Sequence, residues 1–230
     1  MREFLEIGIL PLILTLAAFR VGQLCQAKWK NPLCNPTLIG AVLVIVFVLV
    51  TGMDVGDYKS GTASISWLMT PATIALAIPM YEQFRILKKN MAAVAAGVAA
   101  GAVSCLAMIL AGSLLLRFDR AILVSLMPKS VTTAIGVTLS EMFGGMGAVT
   151  TAAIIGTGIF ANMMGVTFCR LFRITDPVAQ GVAFGTAGHV IGTTRANEVS
   201  PLTGAVSSLS LVVAGLLTAV LFPVFMGFLQ

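Results

Sequence analysis

Between Met91 and Leu116 the chain runs for 26 residues without a charged side chain. That is longer than the roughly 20 apolar residues an α-helix needs to cross a bilayer. Residues 37–53, 142–169 and 199–230 are likewise free of charge. A water-soluble domain carries about 25% charged residues. This chain of 230 residues has 10%, against 58% hydrophobic residues and a mean hydropathy of +1.00. Too few charges remain to cover a soluble surface, so the reading is an all-α integral membrane protein, one domain over 1–230, with the lipid bilayer as its solvent. The first apolar segment, 4–20, has no small-residue cleavage site after it and reads as a retained helix. The 23 glycines suit close helix packing in lipid. No basic run is interleaved with aromatics, which argues against a nucleic-acid partner. Cys25, Cys34, Cys105 and Cys169 lack the spacing of a metal site, and the reading calls for no metal or cofactor.

Two stretches break the apolar pattern. Leu126-Met127-Pro128-Lys129-Ser130-Val131-Thr132-Thr133, running on to Ser140-Glu141, sets a proline, an ammonium and several hydroxyls inside apolar sequence. The segment from Phe184 to Glu198 holds the only histidine, His189, with glycines at 185, 188 and 192. A third irregular region, 62–84, contains Pro71, Thr73 and Pro79, read as helix-breaking positions, as Pro128 is in the first stretch. Basic connections at 20–30, 85–89 and 170–173 constrain the path. If all three face one side, an even number of crossings separates any two. Three candidate segments lie between 89 and 170, so one must enter and return, and 121–143 is the obvious choice. Such a segment is tolerated at membrane depth only where protein or a water-filled cavity surrounds it.

The expectation is about six to eight transmembrane segments with broken or re-entrant helices. Ile135-Gly136 followed by Gly147-Ala148-Val149 is echoed by Ile191-Gly192 followed by Gly204-Ala205-Val206, at offsets of 56 and 57. Residues 73–84 echo 132–143 at an offset of 59. An inverted internal repeat of broken helices leaves such echoes, and so does chance in low-complexity membrane sequence.

The two polar stretches are read as lining one site for a small anion. An ammonium inside a membrane segment costs about 2.5–3.5 kcal/mol on insertion scales, so Lys129 either snorkels to the interface or meets an anion in a cavity. Ser130, Thr132 and Thr133 can donate hydrogen bonds to that anion, or cap a half-helix and bond back to carbonyls. Gly188 and Thr193 belong to the same lining. Arg195 can hold a carboxylate bidentately, or pair with Glu198 or Glu141. His189 is a packed core residue or a proton carrier. Glu141 and Glu198 are charge partners in a proton relay, or interfacial charges. No nucleophile elbow or triad is present, so catalysis has no support and the chain is read as no enzyme.

The segment 126–133 with Ser140-Glu141 and Gly144-Gly145, the segment 184–196, and Thr70–Tyr81 together resemble, in order, the motifs of the LrgB/CidB family of bacterial membrane proteins. The resemblance spans nearly the whole chain. It departs at Gly188, where serine is more usual, and at Ala134, where proline is frequent, and both departures bear on substrate fit. The resemblance implies a multi-pass protein of the bacterial plasma (inner) membrane with a small LrgA/CidA-like membrane partner; a homo-oligomer is a separate expectation. It carries two functional expectations. One is transport of small monocarboxylates such as pyruvate, glycolate or glycerate, which a proton-carrying His189 would suit to proton coupling. The other is holin/antiholin-like regulation of murein hydrolase export and autolysis.

Overall fold

The computed structural model describes residues 9–29, 36–68, 71, 74–75 and 77–227. Among these every regular element is helical. Four helices are long and apolar enough to cross a membrane: α1 (Leu10–Trp29), α6 (Phe84–Leu116), α9 (Gly147–Leu171) and α11 (Pro201–Gly227). A shorter apolar helix, α2 (Pro36–Thr51), joins them. The chain divides into two compact units, Met1–Ala75 and Leu76–Gln230.

In the first unit α1 and α2 pack side by side. Gly22 lies against the backbone of Pro36, a contact that depends on its missing Cβ, and Gly40 lies against the backbone of Phe19 at a distance that would leave a Cβ in ordinary contact. Asp54 caps the short α3 (Val55–Gly61) by accepting the Gly56 N–H at 2.7 Å. Tyr58 on α3 meets the Thr15 hydroxyl of α1 at 2.6 Å. The short α4 (Ala63–Trp67) follows, and α5 (Ala77–Glu82) lies in the second unit. Pro71 is exposed and Pro79 sits in the first turn of α5, where a proline is tolerated. Thr73 lies outside the described residues.

The second unit is built from three long helices and two hairpins. Helix α6 stops at Arg117, which takes a left-handed conformation (φ 53°), and Asp119 then caps α7 (Arg120–Leu126) by accepting the Ala121 N–H at 3.1 Å. Pro128 removes a backbone donor, the chain uncoils over 127–132, and α8 (Thr133–Met142) begins. Helix α8 runs back along α7. Its exit is tied there by the Met146 N–H, which donates to the Ser125 hydroxyl at 2.7 Å. The segment 120–142 is therefore a hairpin, the form expected of a segment that enters and returns if the basic loops share one side.

The second hairpin is α10 (Pro177–Val199), started by Asp176, which accepts the Ala179 N–H at 2.9 Å. It reverses at one residue, His189, whose backbone is non-helical (φ 41°, ψ −138°). The reversal is visible in contacts to α11. Gly181 in the first arm and Asn197 in the second both touch the start of α11, at 203–206 and at Gly204. Gly185 and Thr193 both reach Ser207.

Helix α9 serves as a ruler for both hairpins. The first lies along its N-terminal half: Ser140 bonds Thr150 at 2.7 Å, and Gly136 faces Ile154. The second lies along its C-terminal half: Gly188 faces Ala161, and Gly165 faces Phe184. The two hairpins thus enter from opposite ends and meet tip to tip near residues 154–161. Helix α11 repeats this division, with Ser207 against the second hairpin and Phe222 in the apolar cluster that holds Leu123, Val124 and Leu139 of the first. So does α6, where Gly101 faces Thr186 and Leu106 joins that same cluster.

The echo at 56 residues corresponds to this architecture. Each hairpin is followed by a long helix, and the second arms carry Gly136 and Gly192. A Cβ on Gly136 would lie 3.1 Å from the Pro128 carbonyl, and one on Gly192 would lie 2.7 Å from the Phe184 carbonyl. In both cases the carbonyl is eight residues earlier in the chain, so glycine lets each hairpin close on itself. The echo between 73–84 and 132–143 falls partly outside the described residues.

Candidate functional site

Lys129 sits in the uncoiled tip of the first hairpin, half-buried and level with the middle of α9. Two cavities open beside it. One, of about 440 Å³, lies between α6 and the first arm of α10 and includes Ser104, Cys105, Ser130 and Thr186 in its wall. The other, of about 320 Å³, lies between α9 and that same arm, with Thr157, Phe160 and Phe184 in its wall. Both volumes fall within the usual range for small-molecule sites, about 300–1,000 Å³. Among the described residues Lys129 forms no ion pair; the one ion pair found joins Arg195 to Glu198. A partly desolvated ammonium at mid-depth, facing space and lacking a carboxylate, is a site suited to an anion.

Ser130 shares the larger cavity with Lys129 and lies 3.2 Å from the Cys105 sulfur. Thr132 holds the N-cap position of α8 without a side-chain cap bond, and Thr133 opens that helix. Neither lines the two cavities. Glu141 is exposed at the far end of α8, beside Gly147.

The second stretch is mostly sealed. The His189 ring is 3% exposed, with Nε2 2.8 Å from the Ile154 carbonyl. Its own carbonyl accepts the Thr193 hydroxyl at 2.8 Å, and Thr193 meets Ser207 at 2.8 Å. Asn162 on α9 donates to the Ile191 carbonyl at 2.9 Å and to Thr194 at 3.2 Å. These bonds take up backbone groups that the break would otherwise leave orphaned in a low-dielectric interior. Gly188 is buried against Ala161. His189, Thr193 and Gly188 therefore hold the reversal in place and are not in the walls of the Lys129 cavities. Arg195 is tied to Glu198 one turn away, on the outer face of the second arm.

The structure thus gathers Lys129 and Ser130 at one place and leaves Arg195, Glu141 and Glu198 elsewhere. It also brings in residues that reading the motifs alone passes over. Thr186 lines the larger cavity and is 7% exposed, and its hydroxyl has no hydrogen-bond partner. The available signal was the repeat, since Thr186 stands 56 residues after Ser130. Cys105 is the second addition; its place in an uncharged helix gave no hint of a cavity.

Fold and site together define a multi-pass α-helical membrane protein in which two oppositely entering hairpins meet at a polar centre. The chain belongs to the LrgB-like family, whose model matches residues 15–228. It is 33% identical over 219 residues, 95% of each chain, to proteins named antiholin-like protein LrgB from Bacillus mycoides (strain KBAB4), Bacillus cereus (strain B4264) and Bacillus anthracis (strain CDC 684 / NRRL 3495). No solved structure matches the chain.

Proposed function

We propose that this chain is an antiholin-like protein of the bacterial plasma membrane that restrains the export of murein hydrolases, together with a small LrgA-like membrane partner. The observation that carries this reading is the name of relatives aligned over 95% of the chain. The architecture agrees with an antiholin role rather than a holin role. A holin must assemble helices around a wide lesion, whereas the second unit fills its own interior with two hairpins and buried hydroxyls. Deleting the gene should hasten autolysis, and re-expression should reverse it; an unchanged autolysis rate would count against the reading. On the positive-inside rule the end bearing Arg85, Lys88, Lys89, Arg170 and Arg173 faces the cytoplasm.

The site geometry favours a second reading, passage of small monocarboxylates. It rests on the unpaired Lys129 ammonium beside two cavities at the junction of inverted hairpins. Inverted repeats with broken helices bind solutes at this depth. Lys129 would hold the carboxylate and Ser130 would donate to it. Thr132 and Thr133 would support the tip that carries Lys129, His189, Gly188 and Thr193 would act only by holding the second hairpin, and Arg195, Glu141 and Glu198 would stay outside the solute path. Counterflow of labelled pyruvate or glycolate in proteoliposomes tests it, with and without an imposed pH gradient. Flux that is absent in the wild type, or unaltered by Lys129→Ala, removes this reading while leaving the antiholin role standing.

A further inference from the structure

The pseudo-symmetry of the hairpins makes a specific assignment within the anion site. Ser130 and Thr186 occupy corresponding positions, 56 residues apart, in the two repeats. Both line the cavity of about 440 Å³ beside Lys129. Both also line a smaller void of about 10 Å³, with Thr218 and Cys105 in its wall. That void has room for about one water molecule. The Thr186 hydroxyl is buried and unpartnered. A buried donor without a partner costs about 1–3 kcal/mol, which is relieved when a ligand oxygen arrives.

We propose that Thr186 is a solute-binding residue, and that a small monocarboxylate bridges the two hairpins through it. The carboxylate sits on the Lys129 ammonium and the Ser130 hydroxyl of the first hairpin, and accepts the Thr186 O–H of the second. This rests on the anion-passage reading above. Its consequence is that the bound solute fastens the hairpin tips to each other, whereas the empty site leaves them joined by packing alone. Cys105, 3.2 Å from Ser130 and half-buried in the same wall, reports on occupancy.

The test uses the full chain in proteoliposomes, with Cys25, Cys34 and Cys169 replaced by serine and pyruvate as the probe. Pyruvate is expected to slow maleimide labelling of Cys105 at least fivefold. Thr186→Val, which preserves the methyl packed on Gly101, is expected to abolish that protection and to raise the pyruvate KM at least tenfold. Thr186→Ser restores both. Unaltered melting of Thr186→Val separates loss of binding from loss of fold. If Lys129→Ala abolishes pyruvate flux while Thr186→Val keeps the wild-type KM and Cys105 protection, the bridging role is overturned and the anion reading survives. If wild-type protein neither moves pyruvate nor protects Cys105, both are overturned.

Discussion

The two hairpins reverse the chain by different chemistry. The first uncoils over six residues, 127–132, because Pro128 cannot donate to the helix. The second stays helical through its first arm and turns on His189 alone, in a left-handed conformation that costs a non-glycine residue about 1–3 kcal/mol. The Ile154 carbonyl on the ring and the Thr193 hydroxyl on the backbone hold that strain in place. The loose tip sets Lys129 and Ser130 against open space, whereas the tight tip buries its histidine. The two tips thus differ, one lying beside open space and the other sealed by its own hydrogen bonds. A polar residue inside the membrane is therefore not evidence of solute contact by itself; what its hydrogen bonds are already committed to decides the matter.

That contrast can be broken most directly at the closing glycines. Gly192→Val would drive a side chain into the Phe184 carbonyl, which as backbone cannot yield, and is expected to eliminate monodisperse protein on size exclusion. Gly136→Ala meets first the flexible end of Ile154, at 2.6 Å, and should only lower the melting temperature by a few degrees. The reverse order would show that the first hairpin is the rigid one. Next come the tips. Lys129→Ala should reduce pyruvate counterflow at least tenfold without loss of melting temperature. His189→Ala, by contrast, removes the ring's bond to the Ile154 carbonyl and empties a buried position, and should lower melting by several degrees in detergent. Flux lost in a fully stable His189→Ala protein would restore that ring to a proton-carrying role.

Thr193→Val should cost less, about 1–2 kcal/mol, because Ser207 keeps freedom to find another acceptor. A cost near zero would show that the buried hydroxyl bond does not help to lock the second hairpin. The smallest effect is expected at the outer face. Glu198→Gln breaks an exposed ion pair worth about 0–1 kcal/mol and should leave flux within twofold. A larger loss would bring Arg195 back into the solute path.

Much of the architecture was legible along the chain. Uncharged runs longer than a bilayer announced α6, α9 and α11, and the parity of basic loops, if these share one side, required 121–143 to turn back. The 56-residue echo pointed to the paired hairpins, although similar residues alone could not distinguish repeat from coincidence. The candidate site was only half legible. Lys129 and Ser130 stood out because charge and hydroxyls contrast with lipid-like surroundings. Thr186 and Cys105 did not, because a threonine or a cysteine is ordinary in an apolar helix. Arg195 and Glu198 looked like members of the same site, yet their spacing of three residues on the second arm lets them satisfy each other.

Composition and the order of polar and apolar segments determined by themselves that the chain lives in a membrane, that its helices are interrupted, and where. Those properties follow from transfer free energies of individual side chains and from the geometry of proline and glycine, which act locally. Tertiary structure alone decided which interrupted segment faces a cavity and which is sealed. That depends on which carbonyls and hydroxyls come within hydrogen-bond reach, as with His189 and Ile154, 35 residues apart. No property of either residue on its own carries that information.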